Sequence, residues 1–288
     1  MNKIHFALIG VLVAVNFVFV TGNPLRDAEN SFDDELMDDM RFTDEQRNFM
    51  FGSENKNSKT GTTWRHWIKN ERGEVVIPYN IDPSQGFEKH HIDWMLRQFT
   101  AISNSTCVRF VERTDEEDFV DIINGSGCWS WLGRMGGRQE LSMKINGCFF
   151  SGTAMHEMIH AIGFHHMQIN YDRDDYITIN WENVNEDDKS AFNKVDPRYY
   201  SNFDTPYDYL SVMHYLKTAY SNNGKDVIVP NDKTFLDIIG RVGMLSAGDA
   251  LRINRMYECS IVDEIPEETT TVTQDTSTVS EETTTVSE

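Results

Sequence analysis

Hydrophobic and polar positions alternate with two different periods along the middle of this chain. The run EVVIPYNI, Glu74 to Ile81, is apolar and β-branched and predicts a strand, as do CVRFVER, FVDIIN and QELSMKI further on. Between the first two lies FEKHHIDWMLRQFTAIS, where Ile92, Met95, Leu96, Phe99 and Ile102 recur at helical spacing and define one buried face. His90 and His91 at its start are read as solvent-exposed rather than as ligands. A second helix is expected from Ala154. After Asn170 periodicity fades into turn-rich sequence. A last helix is expected in LSAGDALRINRMYEC, capped by Ser246, with Leu251, Ile253 and Met256 facing inward. Strands around helices, without a regular β-α alternation, indicate an α+β fold.

The ends follow another pattern. Phe6 to Val20 is almost unbroken apolar sequence behind Lys3, with small residues at Thr21 and Gly22; this reads as a signal peptide, residues 1–22, too short for a membrane anchor. Residues 23–59 are acidic, with Phe32, Leu36, Met40, Phe49 and Phe51 scattered among the charges, and read as a prosegment. SENKNSKTGTT then reads as an exposed, cleavable link. Residues 261–288 include twelve Thr or Ser and no aromatic, a tail expected to be disordered. A single domain at 60–260 remains.

Composition adds three points. The formal charge of −20 is uneven: 261–288 contribute −8 and 23–58 contribute −6, and no basic patch suggests nucleic acid. Secretion makes disulfides possible, and loop length favours Cys128 with Cys148, leaving Cys107 with Cys259. The sequons at Asn104 and Asn124 predict glycosylated surface loops.

The chemistry is concentrated in TAMHEMIHAIGFHHMQINYDRDD. His156 and His160 lie four apart, on one helical face, as two imidazoles must to share a zinc ion. Glu157 leaves that face at an angle and can take a proton from a water on the metal without being a ligand. Gly163 can end the helix with positive φ, so that the chain returns His166 as a third ligand. His165 is then left as a packing or cleft-wall residue. This long spacing predicts a downstream methionine turn, which SVMHY supplies with Met213 as an apolar floor.

On these residues, together with CWSWLGRMGGRQELS, the DRDDYITINWENV continuation and the four cysteines, the sequence over about residues 60 to 260 resembles the astacins, a branch of the metzincin zinc endopeptidases. The resemblance implies an upper subdomain of twisted mixed sheet with two long helices and a lower irregular subdomain with a C-terminal helix. A cleft between them would hold one Zn2+. It implies His156, His160 and His166 as ligands, Glu157 as general base and acid on a zinc-bound water, and Tyr215 as a zinc-side residue that stabilises the tetrahedral intermediate. It implies a secreted, extracellular endopeptidase made as a zymogen, with protein or peptide substrates, an activating protease as partner and neither nucleic acid nor a membrane anchor. Substrate is expected to lie along an edge strand in RQELSM, with Arg198, Arg241 and Lys217 as candidates for the cleft wall. Two departures stand out. Met167 occupies the place of the glutamate that anchors the processed N-terminus in this family. Ser53 stands where the prosegment motif F-x-G-D has its zinc-blocking aspartate, leaving Glu54 as the candidate switch.

Overall fold

The computed structural model describes residues 39–51, 66–198 and 200–260. The signal-peptide reading, residues 23–38 of the prosegment, the whole link SENKNSKTGTT with Glu54 in it, and the tail at 261–288 lie outside the described residues.

The described residues build a six-stranded mixed sheet and four helices, beginning in the order β1 (Met40–Arg41), α1 (Asp44–Phe51), β2 (Val75–Ile81), α2 (Lys89–Ser105), β3 (Val108–Glu112), β4 (Phe119–Ile123), β5 (Cys128–Trp131), β6 (Arg138–Met143) and α3 (Thr153–Ile162). A small antiparallel pair, β7 (Ile177–Ile179) with β8 (Ile228–Pro230), and α4 (Ala247–Met256) follow in the lower part. The sheet order is β1-β5-β6-β4-β2-β3. All neighbours run parallel except β5 against β6. β6 is therefore interior, between β5 and β4, and the edge strand on that side is β1, laid along β5; this corrects the expectation that RQELSM would present the edge.

The helices form where periodicity places them. Met95, Phe99 and Ile102 of α2 are fully buried with Val75, Ile77, Val120, Ile122 and Leu141 of the sheet and Met155, Met158, Ile159 and Ile162 of α3. His91 is buried too, its ring 4.5 Å from that of Phe149, so the expected exposure holds only for His90. Its Nδ1 accepts from the Glu88 amide at 3.1 Å and ties down the start of α2. Helix α4 starts on a capping box in which Ser246 Oγ accepts from Asp249 N at 2.8 Å. Ile253 and Met256 face inward as expected, but Leu251 is only half-buried and Arg252 is buried in its place.

Cys107 bridges Cys259 and Cys128 bridges Cys148, the pairing that loop length favoured. The first ties strand β3 to the end of α4 across 152 residues of chain. Closing a loop that long costs the unfolded chain about 5 kcal/mol of conformational freedom, against about 3 for the 20-residue loop. Asn104 is exposed but sits in the last turn of α2, not in a loop. Asn124 is an exposed loop residue whose amide already donates to Gln85 O at 3.2 Å.

Residues 39–51 are packed on the domain. Thr43 and Gln46 cap α1 reciprocally at 2.9 and 3.1 Å. Gln46 Nε2 also donates to Leu132 O at 2.8 Å. Met50 is fully buried with Met40, Leu132, Ile169, Val195 and Tyr200, joining this segment to both parts of the domain. Strand β1 lies parallel to β5, with Ser130 N donating to Asp39 O at 2.8 Å and Leu132 N to Arg41 O at 2.9 Å.

Candidate active site

Helix α3 carries His156 and His160 one turn apart on one face, and Gly163 ends it. Gly163 has φ +130° and ψ 17°, a backbone conformation that L side chains rarely adopt. Its amide is shared between the Ile159 and His160 carbonyls, and Phe164 N reaches back to Ile159 O at 3.1 Å. Past this turn the chain is extended at His166, which enters the same space as the two helical imidazoles. The three Nε2 atoms stand 3.0, 3.1 and 3.3 Å apart. Three nitrogens bound tetrahedrally to one zinc ion would lie about 3.3 Å apart at ordinary bond lengths.

The protons support the same assignment. His156 Nδ1 donates to Val212 O at 2.8 Å and His160 Nδ1 to Phe164 O at 2.7 Å. Those carbonyls hold each ring in the tautomer whose Nε2 carries a lone pair. Lone pairs aimed at one another within 3.3 Å repel unless a cation lies between them. Burial, reinforced by the neighbouring His156 and His166, pushes His160 down to about 3, so it is a neutral imidazole. The donor set fits a zinc ion.

A fourth group joins this set. Asp39 and the three histidines form one group of potential metal ligands whose ligand atoms all lie within 4.8 Å of one another. Asp39 Oδ1 is 2.7 Å from His166 Nε2 and Oδ2 is 3.0 Å from His156 Nε2. Burial alone would raise Asp39, but the neighbouring His166 and His156 outweigh it and hold the carboxyl well below the usual range. Among the described residues the acidic group at the histidines is Asp39; Glu54 lies outside the described residues. One cue in the sequence points this way: Thr43-x-x-Gln46 is a capping box, so the chain just before it is extended and free to reach the cleft.

Glu157 is buried and its Oε2 has no hydrogen-bond partner. Burial, and secondarily the Asp39 charge, raises its carboxyl well above the ordinary value. Met213 is fully buried in the main core, and its carbonyl accepts from Met167 N at 2.8 Å. The Tyr215 ring lies 4.2 Å from that of His166 and its hydroxyl meets Tyr220 Oη at 3.2 Å. Tyr215 N donates to Gln168 Oε1 at 3.2 Å. His165 is buried against Tyr200, ring centroids 4.0 Å apart, and is not one of the converging ligands. Lys217 is paired with Asp237 at 2.9 Å and Arg198 with Asp196.

Several supporting groups escape a reading by spacing. Asp249 on α4 accepts from Ser211 Oγ at 2.6 Å and Val212 N at 2.9 Å. Through Val212 it steadies the carbonyl that orients His156. Gln168 holds the Tyr215 backbone, and Tyr220 its hydroxyl. None belongs to a recognisable spacing; each depends on contacts between distant segments.

Comparison with known proteins agrees with this geometry. The family model for astacin, a peptidase family, matches residues 59–258. High choriolytic enzyme 1 of Oryzias latipes is 45% identical over 195 residues, covering 67% of this chain and 70% of its own length. Zinc metalloproteinase nas-6 of Caenorhabditis elegans is 39% identical over 184 residues, 64% of this chain and 53% of that protein. Among solved structures, the medaka hatching-enzyme zinc protease superposes with a TM-score of 0.64 at 41% identity, covering 70% of this chain and 98% of that one. This chain belongs to the astacin family of zinc metalloendopeptidases.

Proposed function

We propose that the protein is a secreted endopeptidase held latent by its own N-terminal segment, with His156, His160 and His166 as the zinc ligands and Glu157 as general base and acid. The observation that carries this is the convergence of three Nε2 atoms within 3.3 Å, two of their Nδ1 partners being fixed backbone carbonyls, next to a buried carboxylate with an unpartnered oxygen. Zinc, when bound, supplies a positive centre that acidifies a water and polarises a carbonyl.

The chain's own residues do the rest. Strand β5 pairs with an extended substrate by main-chain hydrogen bonds once β1 has left it. Glu157 takes a proton from the attacking water and later returns it to the leaving amine; a carboxyl raised by burial suits both steps. Tyr215 donates from its hydroxyl to the developing oxyanion after parting from Tyr220. Met213 forms the apolar floor beneath the histidines.

Asp39 supports latency, because its carboxylate occupies the space a substrate carbonyl needs. Residues 23–59 are then the prosegment, removed by another protease in the link after Phe51, and 60–260 the peptidase domain. The apolar leader at 1–22, the two disulfides and the sequons at Asn104 and Asn124 favour an extracellular setting, and among the described residues no helix is long and apolar enough to cross a membrane. The test treats the full chain with trypsin, which has sites at Lys56 and Lys59, and follows cleavage of a peptide library beside Glu157→Ala. The wild type is expected to cut, and the variant to keep its zinc but not cut. Equal cleavage by both would remove Glu157 from the mechanism, and no cleavage by zinc-loaded wild type would remove the activity.

A further inference from the structure

Resting on the endopeptidase reading, we propose that the cleft has a subsite for an arginine or lysine side chain of the substrate. It lies on the outer face of strands β5 and β6, with Trp129 as the stacking surface and Glu140 as the counter-charge. The N-terminal segment shows how such a side chain is held. Strand β1 occupies the β5 edge as an extended peptide would, with Asp39 at the histidines and Arg41 two residues along. Met40 and Arg41 point to opposite faces. Met40 is buried in the core, while the Arg41 guanidinium carbon lies 3.3 Å from the centroid of the Trp129 ring, well inside cation–π range.

Register explains why this face suits a cation. Arg41 pairs with Trp131, and Ser130 pairs with Leu141, so Glu140 falls beside Trp131 on the face that Arg41 uses. Asp121 of β4 pairs with Glu140 and shares that face. Arg138 bridges both carboxylates, 2.6 Å to Asp121 and 2.9 Å to Glu140. Two carboxylates against one guanidinium leave one negative charge for an incoming cation. In the latent chain partial burial lowers the Arg41 guanidinium from its ordinary value, and the Glu140 charge opposes that shift. Paired residues share a face in parallel and antiparallel ladders alike. A substrate residue opposite Trp131 therefore places its side chain over Trp129 in either direction.

The experiment uses the trypsin-activated chain and one cleavable peptide in which each flanking position in turn carries arginine or its uncharged isostere citrulline. The expected result is a preference for arginine of about fivefold in kcat/KM at one position on one side of the cut. Within Glu140→Gln and Trp129→Leu the arginine-to-citrulline ratio at that position should fall towards one. Glu140 is only partly buried, so that variant keeps the test alive if Trp129→Leu does not fold. Equal cutting of arginine and citrulline peptides at every position would overturn the subsite and leave the endopeptidase intact. A preference that survives both variants would overturn it as well. If no peptide is cut, the endopeptidase reading fails and the subsite with it.

Discussion

Gly163→Ala probes how the third imidazole reaches the metal site. Gly163 sits at φ +130°, and an added Cβ would lie 2.8 Å from Met256 Cε. That methyl is the far end of a flexible side chain and can swing aside, so the contact is the smaller obstacle. The backbone is the larger one: a non-glycine residue forced into so sparsely populated a conformation costs about 1–3 kcal/mol. The variant can bear that strain, or relax the turn and let His166 drift from His156 and His160. In the first case the zinc-loaded chain loses about 1–3 kcal/mol of stability. In the second, the same energy appears as a roughly 5- to 150-fold loss of zinc affinity. Urea unfolding of the zinc-loaded chain and zinc competition against a chelating dye measure the two. Unchanged values in both would refute the claim that this turn delivers His166. Full rescue by Met256→Ala would show that the contact, not the backbone, sets the requirement.

Two further outcomes follow from the site. Asp39→Asn keeps the shape of the latch but replaces an anionic metal ligand with a neutral amide; a weakening of about 2 kcal/mol makes the uncut variant hydrolyse a small peptide roughly 30-fold faster than the uncut wild type. Unchanged latency would show that packing by Met40 and Met50 suffices. His214 is fully buried, with Nε2 2.7 Å from Tyr207 Oη, and burial pushes it down to about 4 from an ordinary value near 6.5. Its neutral form is the folded one, so its contribution is constant above about pH 6.5. It is lost as pH falls towards 4, by up to about 3 kcal/mol. His214→Gln should flatten the slope of stability against pH in that window by up to one proton, measured by denaturation at each pH; an unchanged slope would contradict the assignment.

What the sequence shows and hides here follows the range of the interactions involved. The zinc ligands are legible because a helix repeats every 3.6 residues and Gly163 marks its end, so His156, His160 and His166 are related by local geometry. Helix α2 and strands β2, β3, β4 and β6 are legible because each has a long enough run for its period to show. Strand β5 is a four-residue stretch, and β7 and β8 have three residues each; the short 3-10 turns between them have no period at all. Asp39 is hidden for a different reason. It stands in a run with Asp33, Asp34, Glu35 and Asp38, and its contact with His156 spans 117 residues. Nothing local separates it from its neighbours, and the F-x-G-D comparison draws attention to Glu54 instead. His91 and Arg252 look like surface residues by type. His91 is buried against Phe149, and Arg252 spends its charge over the Phe164 ring, 5.1 Å away, with Nη1 3.1 Å from Met167 Sδ. A methionine at 167 thus faces a buried guanidinium where the family has an anchoring carboxylate.

Zinc K-edge absorption on the uncut, zinc-loaded chain bears most directly on the central claim. Three imidazole nitrogens and one carboxylate oxygen at about 2.0–2.2 Å, with the oxygen ligand changed in Asp39→Ala, are the predicted result. Fewer than three imidazoles, or a spectrum that Asp39→Ala leaves untouched, would contradict it.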